Sequence, residues 1–586
     1  MKKSHGIEKE IKKLRIHLSH LQENSKKASL HLLMNEEALI RKKIKILKQL
    51  PDMEEYGGEI LYNDYVLLLN DISRKILSHY NEENQTDYNF EDLTSSYKEA
   101  FINSGILCVL QGIYLPRLMN HDFQCYLPIN PKDEYKKTRQ MKRKFYLHLG
   151  ETNTGKTYHA IEALKKSKRG IYLAPLRLLA LENYENLNQS QIPCHLLTGE
   201  EEIIVTNANH ISCTIEKLDL NQLYDVAVID EVQLIGEVSR GASWTKAILG
   251  LMSQDIHICG ALNTKKLLIQ LIEDCGEEYE IKEYYRNTPL KLEQTPYQMN
   301  NPSAGDALIA FSKKKVLELS RYYQDRGYKV SVIYGDLPPE VRRLQYSMFS
   351  SGESELLITT DAIGMGVNLP IKRIVFTSLK KFDGEDIREL TSQEVKQIAG
   401  RAGRKGIYEV GYVTSIDEYL GRLQEKLECE DRLIEKAIIG PTELLLQIKG
   451  IPLIEKLAIW SMYYDEFSYY QKMDVSHYLF ILEQIKPYKL SQNDQWKVMK
   501  LPINFTNPEL LNLLLFFIEE VFVDGNFELT KPKIHSEDLD LLEIHYQEVN
   551  LYYNFSKSFN LIFDVNWVYR ERAKISKKLN YLLHCL

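Results

Sequence analysis

Near the start of the chain Ile7, Ile11, Leu14 and Leu18 recur at three- and four-residue intervals, the spacing that puts side chains on one face of a helix. Leu61, Val66, Leu69 and Ile72 repeat this period more loosely, so residues 1–140 are expected to form a helical N-terminal domain. The pattern then changes. Phe145–Leu149 is a short apolar run, and Val226-Ala227-Val228-Ile229 is an unbroken run rich in β-branched residues. Such runs fit strands covered on both faces, as in a parallel sheet. Ile374-Val375-Phe376-Thr377 reads as another strand. Beyond residue 416, stretches such as Leu444–Ile448 and Leu511–Val521 return to helix. The expected architecture is therefore α/β in the middle and helical at both ends. Its parts are an N-terminal domain at 1–140, parallel-sheet domains at 141–286 and 287–416, and a C-terminal domain at 417–586. Asn287-Thr288-Pro289 reads as the connector between the sheet domains, and no internal repeat or low-complexity tract interrupts the chain.

The apolar run at 145–149 leads directly into Gly150-Glu151-Thr152-Asn153-Thr154-Gly155-Lys156-Thr157, the G-x-x-x-x-G-K-T spacing of a phosphate-binding loop. Its two glycines let the backbone curl so that N–H groups face phosphate oxygens. Lys156 can reach the β- and γ-phosphates and Thr157 can hold Mg²⁺. Residues 157–166 read as the helix whose N-terminus faces the anion. The run at 226–229 ends in Asp230-Glu231-Val232-Gln233. A strand that delivers an acid at its C-terminal end puts it beside such a loop. Asp230 would hold Mg²⁺ through water, and Glu231 would orient or deprotonate the attacking water. Farther on, Gln397-Ile398-Ala399-Gly400-Arg401-Ala402-Gly403-Arg404 presents two arginines three apart, a spacing that shares one helix face. Two guanidiniums aimed at one anion repel each other and do nothing for folding. They are expected to neutralise charge on the γ-phosphate during transfer, supplied by the second sheet domain.

These motifs resemble, in order, those of the DExH-box superfamily 2 helicases, and most of all the mitochondrial degradosome RNA helicase family with its bacterial relatives. Gly150–Thr157 resembles motif I, 174–180 motif Ia, Thr198-Gly199-Glu200-Glu201 with Cys213-Thr214-Ile215-Glu216 the motif Ib region, and Asp230–Gln233 motif II with Gln last. Phe311-Ser312-Lys313-Lys314 is similar to motif IV, 360–369 to motif V, and Gln397–Arg404 to motif VI. The likeness covers residues 145–410 and is weak around Tyr553-Asn554-Phe555-Ser556. It implies two tandem RecA-like domains and an ATP- and Mg²⁺-dependent motor. That motor moves 3′ to 5′ on single-stranded or partly duplex RNA, with DNA as an alternative strand, and hands RNA to an exoribonuclease. Gly150, Thr152, Gly155, Lys156, Thr157, Asp230 and Gly366 would then bind the nucleotide, with Thr157 and Asp230 on the metal. Glu231, Gln397, Arg401 and Arg404 would be catalytic, and Arg177, Thr214 and Thr360 would touch the strand's backbone. Glu151 stands where the family usually has Pro, and Gly260-Ala261 lacks the acid common in motif III. The same motor could instead serve a DNA translocase. A nucleotide-gated clamp would not need the hydrolytic residues.

Asp383-Gly384 is a hairpin-turn signal after the strand at 374–377. A hairpin carrying Lys380, Lys381 and Phe382 could wedge into a duplex, with Phe382 stacking on the exposed base. Lys132–Lys144 is strongly basic and reads as a solvated linker or as a phosphate-contacting strip. Net charge is −7 over 586 residues, so the chain is no basic nucleic-acid coat, and any basic groove must be local. Eight cysteines without a C-x-x-C pair point to a reducing compartment and no zinc. No apolar run approaches the ~18 residues of a membrane span. Glu8 and Glu10 among the N-terminal lysines argue against a transit peptide, which sets the expected location as cytoplasmic.

Overall fold

The structure of the protein is a computed structural model. It describes residues 2–24, 30–50, 54, 57–115, 117, 126–286, 288–364, 369–382, 387–404, 406–462, 467–533 and 536–585. The chain forms two compact units.

The first unit comprises residues 1–129, 441–462 and 491–495. Its long helices are Lys2–Asn24, Leu30–Gln49 and Gly58–Asn84. Ile11, Leu14 and Leu18 are buried, as the helical period requires, and the Tyr65 hydroxyl donates to Leu14 O at 2.8 Å. The buried carboxylate of Glu37 accepts from Ser73 Oγ at 2.6 Å and from the Ile106 N–H at 3.1 Å. Helix Leu453–Met462 belongs here, although its sequence position lies in the expected C-terminal domain, and residues 130–140 belong to the second unit.

The second unit holds two RecA-like sheets. The first sheet contains β1 (Lys144–Gly150), β2 (Gly170–Ala174), β3 (Cys194–Leu197), β4 (Glu202–Ile203), β5 (His210–Thr214), β6 (Leu223–Ile229), β7 (Met252–Gly260) and β8 (Glu278–Tyr284). Their order is β4-β3-β5-β2-β6-β7-β1-β8, parallel except for the β3–β4 pair. Both faces are covered. Phe145, Leu147 and Leu149 of β1 pack with Trp244, Leu267 and Leu271 on one side. Tyr172, Val228 and Cys259 pack with Ala160 and Leu164 of helix Lys156–Lys166 on the other. This double cover is why the strand runs are unbroken rather than alternating.

The second sheet contains β9 (Leu290–Leu292), β10 (Asp306–Ile309), β11 (Val330–Ile333), β12 (Leu356–Thr359), β13 (Arg373–Phe376) and, after a hairpin, β16 (Gly411–Ser415). The order β11-β12-β10-β13-β16-β9 is parallel throughout. The hairpin is β14 (Lys380–Phe382) against β15 (Ile387–Glu389), antiparallel, and its expected turn at Asp383-Gly384 lies outside the described residues. The start of the sheet is locked by Arg373, which donates to both oxygens of the buried Asp306 at 2.9 and 2.6 Å. Downstream, β17 (Ala437–Ile439) pairs in parallel with β18 (Tyr470–Lys472), and Ala437 and Tyr470 enter the core of the first sheet domain. The later helices include Pro508–Ile518, Leu539–Ser558 and Val565–His584.

Part of the basic segment 132–144 is fastened to the first sheet domain, while Lys136, Lys137 and Lys142 are exposed. Lys132 pairs with Asp274 at 2.9 Å, Lys144 with Glu280 at 2.5 Å, and the buried Arg143 grips Glu277 through two bonds of 2.6 Å. These residues fasten the entry of the first sheet domain to β8 and the helix before it. Arg143→Ala should lower unfolding free energy by about 3 kcal/mol, because it strands a buried carboxylate whose other cation, Arg139, stands 3.6 Å away. Arg143→Met with Glu277→Leu should recover most of that loss, with both variants measured by urea unfolding.

Candidate active site and nucleic-acid interface

β1 delivers the phosphate loop at its C-terminal end, in register with β8. A side chain at Gly150 would place its Cβ 2.1 Å from Tyr284 O, so backbone alone fits there. Gly155 turns into the helix at φ +83°, a conformation open to glycine. Lys156 Nζ donates to Gly150 O at 2.8 Å and to Glu151 O. Burial pushes its ammonium below the ordinary value, against the pull of Glu231 and Asp230. Thr152 lies against Gly400, and Thr154 is buried with its hydroxyl on Glu151 O at 2.9 Å. Glu151 is itself exposed, as its charge demands.

β6 brings Asp230 and Glu231 to the same edge. Asp230 accepts from Tyr172 OH at 2.8 Å, from Thr157 Oγ1 at 3.2 and 3.3 Å and from the Glu231 N–H at 2.9 Å. Burial and then the Glu231 charge raise its carboxyl, and those three hydrogen bonds work the other way. Trp244 Nε1 donates to Asp230 O at 2.9 Å and fixes the strand end. The hydroxyl of Thr157 and the carboxylate of Asp230 form an all-oxygen pair of the kind Mg²⁺ prefers. Glu231 sits in the left-handed region at φ 50° and ψ 48°, a strained state for a side chain of its size. Its carboxylate accepts from Gln233, and the Gln233 carbonyl accepts from the Ala261 N–H at 3.3 Å. The glutamine that ends the D-E-V-Q run therefore ties it to the Gly260-Ala261 turn, where the family's usual acid is missing.

The second sheet domain closes on this edge. Helix Ser392–Ala399 ends before the two arginines, and Gly403 at φ +78° turns the chain, so Arg401 and Arg404 do not share a helix face as the spacing implies. Arg401 points inward. It lies 3.6 Å from Glu231 and donates to Gly364 O at 2.6 and 3.2 Å, and burial pushes its guanidinium below the ordinary value against the pull of Glu231. Arg404 is half-buried and acts on the Glu182 carboxyl. Gln397 lines a cleft of about 520 Å³ with Gln233, Gly364, Lys381 and Glu394. Asn153 Nδ2 donates to Gly403 O at 2.5 Å across the domain seam. Gly366 lies outside the described residues.

One residue of this seam escaped the sequence reading. Arg286, at the end of the first sheet domain, donates to Thr288 O at 2.6 Å, to Gly400 O at 2.9 Å and to Ala402 O. A single guanidinium thus sets both the connector and the turn that aims Arg401. The only hint was a cation directly before the Asn287-Thr288-Pro289 connector.

The residues expected at the nucleic acid have partners of their own. Arg177 starts helix Arg177–Gln189 and is enclosed by Glu200, by Glu201 at 3.1 Å and by Glu340 at 2.9 Å, with Tyr546 OH beside it at 3.4 Å. Thr214 ends β5 and is buried, and Thr360 accepts from the Ala362 N–H at 3.3 Å. Phe382 is 61% exposed and stands opposite Ile387, 74% exposed, on the hairpin. Arg240 donates to Pro175 O at 2.6 Å and to Glu216 at 2.7 Å, joining the segments that follow β2 and β5.

Family comparisons agree with this geometry. Residues 131–284 match the "DEXQ-box helicase domain of Suv3" and 290–406 the "Helicase conserved C-terminal domain". The chain is 36% identical to the mitochondrial ATP-dependent RNA helicase SUV3 of Oryza sativa subsp. japonica, over 71% of this chain and 75% of that protein. The chain belongs to the Suv3 family of DExH-box helicases. The Candida albicans mitochondrial SUV3 is 34% identical over 77% of this chain and 69% of that one. The Arabidopsis thaliana mitochondrial helicase DExH18 is 35% identical over 72% and 57%. The chain thus spans between about half and three quarters of these Suv3 relatives.

Their names correct the expected location. The Suv3 relatives are mitochondrial proteins, so the cytoplasmic expectation does not stand. It rested on two acids among the N-terminal lysines, and charge balance in so short a stretch does not fix a compartment.

Arg286→Gln should lower the kcat of ATP hydrolysis about 30- to 100-fold, the equivalent of ~2–3 kcal/mol, with KM for ATP changed by a few-fold at most. Steady-state kinetics check this: the residue grips the arginine turn and leaves the phosphate loop in place.

Proposed function

We propose that the chain is an ATP-driven RNA helicase that moves 3′ to 5′ on single-stranded RNA and opens duplexes in RNA degradation or processing. The observation that carries this reading is the approach of Arg401 from one RecA-like domain to Glu231 of the other, at 3.6 Å beside the phosphate loop. Membership of the Suv3 family supports RNA as the strand.

The chemistry follows from the residues. The loop N–H groups and Lys156 hold the β- and γ-phosphates, exchanging the carbonyl partners of Lys156 for phosphate oxygens. Thr157 and Asp230 would hold Mg²⁺, which would neutralise phosphate charge during transfer. Glu231 accepts the proton of the attacking water, Gln397 orients that water, and Arg401 with Arg404 offsets charge on the γ-phosphoryl oxygens. Loss of the γ-phosphate removes the anion that joins the domains, and the seam loosens. Arg177, Thr214 and Thr360 grip backbone, which fixes position without reading sequence. Phe382 at the hairpin supplies the wedge. An exoribonuclease is the implied partner, since a strand opened for decay needs a hydrolase to consume it.

Hydrolysis measured with no nucleic acid, with single-stranded RNA and with single-stranded DNA should rise most with RNA. Stimulation by DNA alone would make the chain a DNA motor. Glu231→Gln should bind ATP within a few-fold of the parent and turn it over at least 100-fold more slowly. Turnover near the parent rate would sink the assignment of Glu231. Phe382→Ala should keep RNA-stimulated hydrolysis and lose most duplex opening, read with a fluorescent tailed duplex.

A further inference from the structure

Arg572 lies on the C-terminal helix Val565–His584 and is 3% exposed. Its Nη1 donates to Glu200 O, and its guanidinium stacks 4.9 Å from the Tyr553 ring. Its Nε and Nη2 are buried with no hydrogen-bond partner in the protein. Unmatched buried donors on a cation are costly, so a buried guanidinium normally fills its sites. Arg177 has the same defect at Nε, and it donates to the side chain of the same Glu200. Two guanidiniums, one from the first sheet domain and one from the C-terminal helix, thus meet at Glu200 with three donors unused. Tyr546 stands with them, its hydroxyl on Glu340 at 2.7 Å and on Glu200 at 3.2 Å.

Glu340 is the partner that can leave. It sits in the first turn of helix Pro339–Ser351 in the second sheet domain, and its side chain is 40% exposed. It comes from the opposite side of the seam, and solvent reaches the cluster through it. A phosphodiester carries the same single charge as this carboxylate and offers more acceptor atoms, so exchanging one for the other leaves the local charge unchanged and sets further acceptors beside Arg177, which shares Glu200 with Arg572.

Resting on the reading above, we infer that Arg572 and Arg177 together seat one backbone phosphate of the bound RNA strand, and that Glu340 occupies this seat when no strand is bound. Arg572 is then a strand-binding residue contributed by the C-terminal helix, outside the motifs of the two sheet domains. Glu340 is a built-in competitor that the strand displaces.

Binding of a fluorescent single-stranded oligoribonucleotide to the full chain, without nucleotide and across a salt series, tests this. Arg572→Gln should bind roughly tenfold more weakly at low salt, and its log–log salt slope should shrink by about 0.7, the share of one phosphate contact on a single strand. Arg572→Lys should keep the parental slope. Glu340→Gln should bind more tightly than the parent, a direction that general damage to the fold does not produce. Parental affinity in Arg572→Gln, weaker binding with an unchanged slope, or no tightening in Glu340→Gln would each overturn the inference. Should Arg572→Gln fail to fold in a melting assay, Glu340→Gln decides alone. A parent chain that binds no RNA would bring down the helicase reading itself, whereas parental binding in both variants would remove this seat only.

Discussion

Two adjacent carboxylates, Asp230 and Glu231, are carried to the end of a central strand and held there largely out of water. A buried charge is tolerable only when it is paired and hydrogen-bonded, and an unpaired one costs several kcal/mol. Asp230 is satisfied from within its own domain by Tyr172, Thr157 and a backbone N–H. Glu231 draws on both domains. It has Gln233 on one side and attracts the Lys156 ammonium within its own domain, and its ion-pair partner Arg401 belongs to the other domain. The second sheet domain therefore adds a cation to an acidic edge that the first domain satisfies in part. That charge favours closure, and the contacts of Gly400 with Thr152 and of Asn153 with Gly403 fit the two surfaces together.

Most of the nucleotide edge was legible because its residues answer backbone demands that leave a mark in sequence. A parallel strand covered on both sides must be an unbroken apolar run, and a loop that passes under Tyr284 O admits only glycine at 150. Those demands survive any change of tertiary context. Arg286 was invisible for the complementary reason. It works on backbone carbonyls, which every residue has, so its targets carry no signal. The two arginines of motif VI were placed on one helix face because i and i+3 suit a helix. Gly403 in the left-handed region breaks that geometry and sends the pair to different partners.

The basic segment at 132–144 shows a further limit of local patterning. Lys132, Arg143 and Lys144 look unpaired along the chain because Asp274, Glu277 and Glu280 lie more than 130 residues away. The helical reading of 417–586 holds for its elements, such as Pro508–Ile518, Leu539–Ser558 and Val565–His584, and says nothing of where they pack. Local period indicates helix, and nothing local reveals that 441–462 packs with the N-terminal helices or that Ala437 and Tyr470 complete the first sheet domain.

The phosphate-loop edge and the segments that follow β2 and β5 are joined through the first sheet domain by a short relay. Trp244 holds the carbonyl of Asp230, Arg240 lies over the Trp244 ring at 5.7 Å, and Arg240 holds Pro175 O and Glu216. Two seams also join the same pair of sheet domains, one closed by Arg401 on Glu231 and the other by Arg177 on Glu340. These closures differ in how far water reaches them. Glu340 is 40% exposed in its pair, whereas Arg401 and Glu231 are 12% and 20% exposed. Salt and a competing anion act more strongly on the wetter pair. The Arg177–Glu340 seam is thus the one on which solution anions, and above all a polyanion, act more strongly. Under the proposed function that order suits a motor, since the strand would enter and leave without ATP while each step is timed by hydrolysis.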